Sequence, residues 1–444
     1  MKRRNFINRV VLSSGAVFLG SRCTNTESVK KDVSLVAATE SKGLIKEPER
    51  TIEIVDTCDV LVVGGGPSGV AAAIAASRAG AQTILLERYN HLGGLWTGGL
   101  VLPLLSTHGI NTHNQKEKVL AGIGDEIARR LVDLGMSIEE VNPVVDPEAA
   151  KYVMDEMMKE SGVKTYYHCW ASNLISEDDT IRAIILETKS GRVAIQPKVA
   201  VDCTGDGDVF HLAGEEYDLM QYEIGLVHRL GNIDRIDESK PGYKKLYIGD
   251  PTPIPSVNWV NMTGNEYNDA LDFKKLSELQ QQHRLEIWNN VRQIRSTPGY
   301  EEVFLVDTAP QQGVRMSRFL KGEYRLTLED SVTYRSFDDV IGIAGGWTSF
   351  LYKGKRISGS ERPVWQIPYR SLVPRKTKNL LVAGRCFSFT KDLFQDARVI
   401  GPCLITGHAA GVGASLASQS GQPVQDQDVS KIQMVLKQQN AYLG

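Results

Sequence analysis

Three glycines with a fixed spacing, Gly64, Gly66 and Gly69, form the motif in this sequence that indicates chemistry most directly. They read GxGxxG between an apolar run and an alanine-rich stretch. In such a turn the first glycine permits a tight bend, the second lets the backbone approach a pyrophosphate, and the third lets helix and strand pack closely. The first turn of the helix, with Pro67 and Ser68, adds free N–H groups and a partial positive charge. The motif therefore predicts a dinucleotide site.

An acidic residue supports this prediction. Glu87 ends a second apolar run about twenty residues beyond the turn, where its carboxylate can accept hydrogen bonds from ribose hydroxyl groups. This position favours NAD over NADP, and it equally suits the adenosine ribose of FAD. A purely structural glycine turn is the alternative, with Glu87 then an ordinary solvated charge at the end of a strand.

Later motifs separate FAD from NAD. After Glu87 comes the glycine cluster "RYNHLGGLWTGG", then "VDCTGDGDVFHLAG" at 201–214, and finally "IPYRSLVPRKTKNLLVAGRC" at 367–386 and "ARVIGPCLITGHAAG" at 397–411. Together they resemble a bacterial group of FAD-dependent oxidoreductases with the glutathione-reductase-type flavin fold. "GVRMSRFLKGEYRLTLEDS", from Gly313, is also similar to this group. The resemblance extends from about Cys58 to Ala417.

The resemblance implies a set of FAD contacts. Pyrophosphate would lie on the GxGxxG turn, ribose at Glu87 and adenine near Trp170. A helix beginning near Gly401 could aim its amides at the flavin and stabilise negative charge on the reduced ring. The residues expected to contact FAD are Gly64, Gly66, Pro67, Ser68, Gly69, Glu87, Arg88, Gly93, Gly94, Trp170, Ala171, Thr204, Gly205, Asp206, Gly384, Arg385, Arg398 and Gly401.

Other features narrow the class. A second GxGxxG and a redox pair of cysteines after the first helix are both missing from the sequence, which disfavours the disulfide reductases of this fold. A calcium loop counted from Asp202 would place Ala213 where a bidentate glutamate is required, so that reading is rejected. His91 could tether a covalent flavin, but we expect non-covalent FAD.

Catalytic residues are less clearly marked. Arg315 and Arg318 are three residues apart, so on a helix they would be neighbours and could present guanidinium groups to an anionic or carbonyl-bearing substrate. Arg398 precedes the helix expected to face the flavin and could hold substrate or flavin. His108 follows an apolar run. The candidates are Arg398, Arg315 and His108, and ordinary hydrogen-bonded or ion-paired roles are the alternative for each.

The elements that must position these residues alternate. Apolar runs on both sides of the turn predict a parallel β-α-β unit, and a strand-plus-helix pattern returns near the C-terminus after a looser middle. We expect an α/β fold with a discontinuous FAD-binding Rossmann-like domain of the glutathione-reductase type and an inserted α+β substrate domain. The predicted parts are an export signal (1–23), a linker (24–52), the FAD-binding domain (53–97, 146–215 and 372–420), the substrate domain (98–145 and 216–371) and a C-terminal helix (421–444).

Two helices carry apolar stripes that we assign to the core. The first contains Met154, Met157 and Met158 at helical spacing, which is typical of packing rather than of cofactor binding. The second is predicted over about 273–296. Its apolar residues near one face are Leu276, Leu279, Leu285, Trp288, Val291 and Ile294.

Composition excludes some partners. The chain has 51 basic and 53 acidic residues and no basic block, so a small molecule or a protein is a more suitable partner than a nucleic acid. The histidines are scattered without metal-ligand spacing, so no metal is expected. Five cysteines lack a CxxC pair and are predicted to be buried thiols: Cys58, Cys169, Cys203, Cys386 and Cys403.

The N-terminus resembles an export signal. A basic start is followed by an apolar run, residues 10–20, that is too short to span a bilayer. Arg3 and Arg4 resemble a twin-arginine signal, and a retained basic arm is the alternative. Cys23 lies where a lipid anchor would attach, although Arg22 occupies a position where lipoprotein signals have a small residue. We expect export across the cytoplasmic membrane to the periplasm or envelope, with no transmembrane segment.

These patterns predict an FAD-dependent dehydrogenase. It would take a hydride from a small organic substrate and pass the electrons to a separate acceptor. A flavin-dependent reductase of an unsaturated substrate is one alternative. A binding protein with structural FAD and an NAD-binding protein are the others.

Overall fold

The sheet that carries the glycine turn is built from three separated parts of the chain. The computed structural model describes residues 45–138 and 141–444. The strands are β1 (Glu53–Val63), β2 (Thr83–Leu86), β3 (Lys164–Tyr166), β4 (Trp170–Glu177), β5 (Thr180–Thr188), β6 (Gly191–Asp202) and β7 (Leu380–Val382). Their order is β3-β2-β1-β6-β5-β4, and β7 pairs with the end of β6.

The central strands are parallel, as the β-α-β pattern predicts. β1 pairs parallel with both β2 and β6, and β7 pairs parallel with β6. Both faces of these strands are covered, and for this reason Val60–Val63 and Thr83–Leu86 are buried without alternation. β4, β5 and β6 form antiparallel pairs. The α/β Rossmann-like fold is confirmed.

Two helices pack closely against each other beside the sheet. The helices are α1 (Pro67–Arg78), α2 (Gly122–Asp133), α3 (Pro147–Glu160), α4 (Asp208–Leu212), α5 (Phe273–Ser296), α6 (Leu328–Val332), α7 (Phe394–Ala397), α8 (Ile400–Ser420) and α9 (Val429–Gln438). A Cβ at Gly407 of α8 would lie 2.1 Å from the Ser68 carbonyl oxygen, and one at Gly411 would lie 2.1 Å from that of Ala72. The small residues of α8 therefore allow its backbone to touch α1.

The remaining strands are short and form small separate sheets. Their bounds are His108–Ile110, Lys116–Lys118, Ser137–Ile138, Val144–Val145, Tyr217–Leu219, Tyr222–Gly225, His228–Gly231, Asp250–Pro251, Val257–Val260, Tyr267–Asn268, Phe304–Thr308, Gly313–Val314, Arg318–Leu320, Val340–Ala344, Phe350–Tyr352, Lys355–Ile357 and Trp365–Pro368. Most of them lie in the segment between β6 and β7. The division into FAD-binding and substrate domains stays a prediction.

The structure confirms the predicted buried face of one helix and partly contradicts that of the other. Met154, Met157 and Met158 are buried in the core, as predicted. Helix α5 has the expected bounds, but its predicted face is partly wrong: Leu285 is 67% exposed and Trp288 is 49% exposed. The buried residues recur at every fourth position, and this spacing includes the polar residue His283. They are Leu279, His283, Ile287 and Val291.

The cysteine prediction is confirmed for the described residues, in which the five cysteines are free and buried. One helix among the described residues, α8, is long and apolar enough to cross a membrane, and 89% of its apolar window is buried inside the protein. That burial is typical of a core helix.

The N-terminal part of the chain forms a separate unit, residues 1–51. Within it, residues 45–50 are exposed and have no regular secondary structure. The predicted export signal and most of the predicted linker lie outside the described residues. The second unit, residues 52–444, contains all the strands and helices given above.

Candidate functional site

The glycine turn has two glycines that the protein itself requires and one that faces open space. Gly64 has a φ of +102°, and a Cβ there would lie 2.5 Å from the carbonyl oxygen of Cys203. A Cβ at Gly69 would lie 1.7 Å from the Gly64 carbonyl oxygen. By contrast, a Cβ at Gly66 would meet nothing within 4 Å. Packing therefore explains the first and third glycines, whereas the second leaves room for a ligand to approach the backbone.

The start of α1 is suited to an anion. Gly66 is the N-cap residue, Pro67 begins the helix, and no side chain of the described residues caps the first turn. The early N–H groups of a helix have no partner within the helix, and the helix dipole favours negative charge at this end. Within the helix, Ser68 is buried. The open space at Gly66 and this uncapped turn fit a pyrophosphate.

Glu87 is a buried carboxylate that fastens the turn. It is 5% exposed, so the alternative of a solvated charge is wrong. Gly65 N–H donates to one carboxylate oxygen at 2.7 Å, and Tyr89 N–H donates to the other at 2.8 Å. Each oxygen can accept a further hydrogen bond, so the predicted ribose contact is compatible with these two.

The second glycine cluster lies against the first. Gly93 N–H donates to the Gly65 carbonyl oxygen at 2.8 Å. A Cβ at Gly94 would lie 3.0 Å from the Cα of Gly66. The structure thus brings together the two clusters that the sequence places on either side of β2, as a shared pyrophosphate site requires.

Arg88 lies between Trp170, the predicted adenine contact, and the loop that contains Asp206. Its guanidinium lies 5.1 Å from the ring centroid of Trp170 and 5.0 Å from that of Tyr89. It also approaches Asp206 at 4.0 Å. Trp170 is 53% exposed, and the adjacent Ala171 is buried in the sheet. An exposed aromatic ring beside Arg88 suits adenine, and this assignment stays a prediction.

The loop after β6 is organised by Asp202, which sequence reasoning missed as a positioning residue. Its buried carboxylate accepts hydrogen bonds from the Thr204 N–H and hydroxyl and from the N–H groups of Val209 and Phe210. Burial raises the pKa of Asp202 to about 6 despite these donors. The signal was present as "VDCTGDGD", an aspartate at the end of a strand shortly before a helix start.

Asp206 connects this loop to the C-terminal segment. Arg385 donates to its carboxylate at 2.7 Å, and Ser317 donates at 2.6 Å. Burial would raise the pKa of Asp206, but Arg385 and Arg88 hold it below its usual value. A Cβ at Gly205 would lie 2.4 Å from an Arg385 nitrogen. Thr204, Gly205 and Asp206 are therefore tied to protein groups as well as being candidate nucleotide contacts.

The C-terminal segment closes onto α1. A Cβ at Gly384, where φ is +83°, would lie 2.4 Å from the Ser68 hydroxyl oxygen. At the start of α8, Gly401 N–H donates to the Leu105 carbonyl oxygen at 3.3 Å. From the opposite end of the sequence, Gly384 thus meets the first turn of α1, Arg385 meets the Asp206 loop and Gly401 meets Leu105.

The structure separates Arg315 from Arg318, in place of the helical pair considered above. Arg318 begins a strand, and Arg315 lies just before that strand. The guanidinium of Arg315 pairs with Glu223 at 2.9 Å, whereas that of Arg318 pairs with Asp208 at 3.1 Å. The chain is extended here, so the two side chains follow different partners. Arg318 belongs to the loop of Asp206, whose carbonyl oxygen it also contacts.

His108 and His91 are engaged within the protein. The Nδ1 atom of His108 lies 2.9 Å from the Thr107 hydroxyl, in a short hairpin. Burial, with Lys116 and Lys118 nearby, lowers the pKa of His108. His91 is 7% exposed, and its Nδ1 atom is 3.2 Å from a backbone carbonyl oxygen. A catalytic role for His108 and a flavin tether at His91 both stay untested.

Arg398 lies beside an aromatic cluster. Its Nη2 atom donates to the Gln395 side-chain oxygen at 2.6 Å, and its Cζ atom is 5.9 Å from the Phe394 ring centroid. Gln395 in turn donates to the Tyr222 hydroxyl at 2.8 Å. Sequence reasoning singled out Arg398 but missed Gln395 and Phe394. Their position three and four residues before Arg398, on one short helix, was the available signal.

The chain belongs to the FAD-dependent oxidoreductase family. The family described as "FAD dependent oxidoreductase" matches residues 59–225 and 232–436. That range contains the glycine turn, Glu87, the Asp202 loop and Arg398. The cofactor of this family is FAD, and the chain is accordingly an enzyme of the oxidoreductase class.

Individual relatives match smaller parts. Thiamine thiazole synthase of Pyrococcus horikoshii is 29% identical over 162 residues, which are 34% of this chain and 58% of that protein. The synthase of Methanococcus maripaludis is 28% identical over 188 residues, which are 38% of this chain and 64% of that protein. This chain therefore matches about three fifths of the length of these curated relatives.

Two solved structures are also similar to this chain. A geranylgeranyl bacteriochlorophyll reductase-like protein of Thermoplasma acidophilum has a TM-score of 0.45 at 14% identity, covering 87% of this chain and 84% of that one. The p-nitrophenol 4-monooxygenase of Pseudomonas putida has a TM-score of 0.40 at 12% identity, covering 85% and 83%.

Proposed function

We propose that this FAD-dependent oxidoreductase is a dehydrogenase of a small organic substrate, with a separate molecule as the electron acceptor. One observation carries the proposal: α8 connects the glycine turn to the residues around Arg398, called the Arg398 cluster. Its members are Arg398, Phe394, Gln395, Tyr222 and Arg315. The helix touches Ser68 at Gly407 and begins two residues after Arg398. At 1.5 Å per residue, about 10 Å of helix separate its first turn from that contact.

The residues divide into a cofactor part and a substrate part. Gly66 and the first turn of α1 would hold the pyrophosphate of FAD, and Glu87 would hold its ribose. When bound, FAD supplies a ring that accepts a hydride from a C–H or C–N bond. Arg398 and Arg315 would orient the substrate. The aromatic side chains of Phe394 and Tyr222 would exclude water from the substrate.

The test is anaerobic stopped-flow spectroscopy of the FAD-loaded, full-length protein. We expect at least one candidate substrate to bleach the flavin, and a quinone or oxygen to restore its colour. If only an added reductant bleaches the flavin and an unsaturated compound reoxidises it, the protein is a reductase. If neither reaction occurs with any substrate, FAD has a structural role.

We also propose export through the twin-arginine signal. The support is the basic start, with Arg3 and Arg4, followed by the short apolar run. Replacement of both arginines by lysine is expected to abolish the periplasmic protein, measured by cell fractionation. Unchanged fractionation would contradict the proposal.

A further inference from the structure

Arg398 is a cation whose Nε atom is buried, and it has no acidic partner among the described residues. Its Nη2 atom donates to the neutral side chain of Gln395, and its Nε atom has no hydrogen-bond partner. Two arginines whose charges act on Arg398 are each paired with a carboxylate: Arg315 with Glu223 and Arg385 with Asp206. Arg398 is a partly buried residue, and a partly buried charge without a counter-ion is unfavourable, so this site favours an anion.

The surroundings of Arg398 add positive charge and aromatic surface. Burial, together with nearby Arg315, lowers the pKa of Arg398 to about 10. The edge of the Phe394 ring meets Tyr222 at a centroid distance of 4.8 Å, and Tyr222 stacks on Tyr267 at 5.1 Å. The guanidinium of Arg315 is 6.0 Å from the Tyr222 ring centroid. Two cations thus flank one aromatic cluster.

A second polar group without a partner lies at the same end of α8. Ser106 is 1% exposed, and its hydroxyl has no hydrogen-bond partner in the described structure. Its φ of +64° is in the left-handed region, which serine rarely adopts. A Cβ at Gly401 would lie 3.1 Å from the Ser106 carbonyl oxygen, which places Ser106 beside the first turn of α8. Buried hydroxyls normally have a partner, so this one also points to a ligand.

From these contacts we infer that Arg398 binds the carboxylate of an anionic organic substrate, with the hydroxyl of Ser106 as a neutral donor and Tyr222 and Phe394 as an apolar wall. One unpaired guanidinium matches one negative charge. A phosphate dianion would need a second free cation, and Arg315 is already paired with Glu223. The substrate class is therefore a small organic acid. This inference rests on the proposed function, because it names the substrate class of the same site.

The test is a binding titration with full-length, FAD-loaded protein. Benzoate, acetate and succinate are the anionic probes, benzamide is the neutral analogue of benzoate, and phenyl phosphate is the dianion. Binding is followed by calorimetry and by the change in flavin absorbance. We expect at least one carboxylate to bind, and to bind more tightly than benzamide or phenyl phosphate. Binding of none of the three carboxylates, or equal binding of benzoate and benzamide, would overturn the inference.

Variants identify the residue responsible. Arg398→Gln is expected to weaken carboxylate binding roughly tenfold or more, and Arg398→Lys to weaken it less, because the lysine keeps the charge. Arg235→Gln is the control, since Arg235 is exposed and pairs with Glu302 at 2.8 Å. It should bind carboxylates like the wild type. An Arg398→Gln protein that is folded, as judged by circular dichroism, and binds carboxylates unchanged would refute the assignment.

The FAD content separates this inference from the proposed function. We expect Arg398→Gln to retain FAD at the wild-type level. If that variant loses FAD, Arg398 belongs to the cofactor site and the inference is wrong. If the wild type binds carboxylates at Arg398 but no substrate ever reduces its flavin, the inference stands and the dehydrogenase proposal fails.

Discussion

The glycine turn and the Arg398 cluster differ in how many of their polar groups have hydrogen-bond partners within the described protein. At the turn, Glu87 accepts two backbone N–H groups and Gly93 donates to Gly65, so the loop is held in place without a ligand. At the other end of α8, the Nε atom of Arg398 and the hydroxyl of Ser106 have no partner in the described residues. The turn is thus a preformed cradle, while the cluster has polar groups that a ligand would complete.

The two regions also differ in how the chain assembles them. The turn and its glutamate come from one β-α-β unit of consecutive residues. The cluster brings together residues from three distant segments, around positions 222, 315 and 398, and Ser106 lies beside Gly401 in the first turn of the helix that follows. Residues in both regions contact one another, so the effects of replacements within either region are not expected to add. In the cluster a replacement of an arginine also changes the charge balance of its neighbours.

The largest effect is expected from Gly69→Ala. The new Cβ would lie 1.7 Å from the Gly64 carbonyl oxygen, so α1 must move away from β1. We expect a loss of unfolding free energy on the order of 3 kcal/mol or more, together with the loss of FAD. Urea unfolding followed by circular dichroism measures the first effect, and the flavin absorbance of the purified protein the second. Wild-type stability would show that helix and strand are not held by this contact.

The second-largest effect is a pH dependence of stability that arises from His408, a residue of α8, the helix that runs between the two regions. His408 is 4% exposed, and burial lowers its pKa to about 4. Because its ordinary pKa is 6.5, the unfolded chain takes up a proton as the pH falls below 6.5, while the folded protein does so only near 4. The free energy of unfolding should therefore decrease between pH 6.5 and 4, by on the order of 3 kcal/mol from this residue.

The variant His408→Gln isolates that contribution. Glutamine can keep a hydrogen bond to Gln439, which lies 2.9 Å from the His408 ring nitrogen, but it does not titrate. We expect a shallower decrease in the free energy of unfolding over this pH range, measured by urea unfolding at several pH values. The same slope in wild type and variant would mean that His408 titrates in the folded protein as it does in the unfolded chain.

Gly66→Ala is expected to separate cofactor binding from stability. Gly66 has a φ of −68°, which alanine adopts readily, and its Cβ would meet no protein atom within 4 Å. Stability should change by no more than about 0.5 kcal/mol. The methyl group would occupy the space proposed for the pyrophosphate, so the Kd for FAD should rise roughly tenfold or more. Fluorescence titration with FAD measures this. An unchanged Kd would contradict the use of this turn by FAD.

The smallest effect is expected from Arg315→Gln. The pair is partly exposed, with 17% of the Arg315 side chain and 31% of the Glu223 side chain accessible, so its loss should cost on the order of 1 kcal/mol of stability. Removal of a neighbouring cation should raise the pKa of Arg398 towards its usual value. Because Arg398 keeps its charge in this variant and only the nearby second cation is lost, carboxylate binding should weaken less than in Arg398→Gln, with FAD binding unchanged. A larger loss of carboxylate binding than in Arg398→Gln would make Arg315 the main anion-binding residue.

The sequence predicts the turn well because its physical requirements are local. GxGxxG, the flanking strands and Glu87 are set by spacing within one β-α-β unit, and the structure places them together as expected. The contact of Gly407 with Ser68 is different, since it joins residues more than three hundred positions apart. In the sequence, only the small residues of α8 indicated that the backbone of another segment would lie close to this helix.

The errors have physical causes too. Arg315 and Arg318 would be neighbours on a helix, but the chain is extended there and sends them to Glu223 and Asp208. In α5 the apolar pattern included Leu285 and Trp288, whereas the buried stripe runs through His283. The missing partner of Arg398 is likewise a property of the assembled cluster, because acidic residues adjacent in sequence, such as Asp396, pair elsewhere.

The most direct test of the account is the visible spectrum of the full-length protein after loading with FAD and desalting, repeated on the supernatant after acid precipitation. The account predicts flavin bands that stay with the folded protein and then appear in the supernatant, since FAD is bound without a covalent bond. Bands that remain in the pellet would contradict non-covalent binding and direct mutation to His91. A protein that stays colourless after exposure to FAD would contradict the central claim that the Gly64–Gly69 turn holds this cofactor.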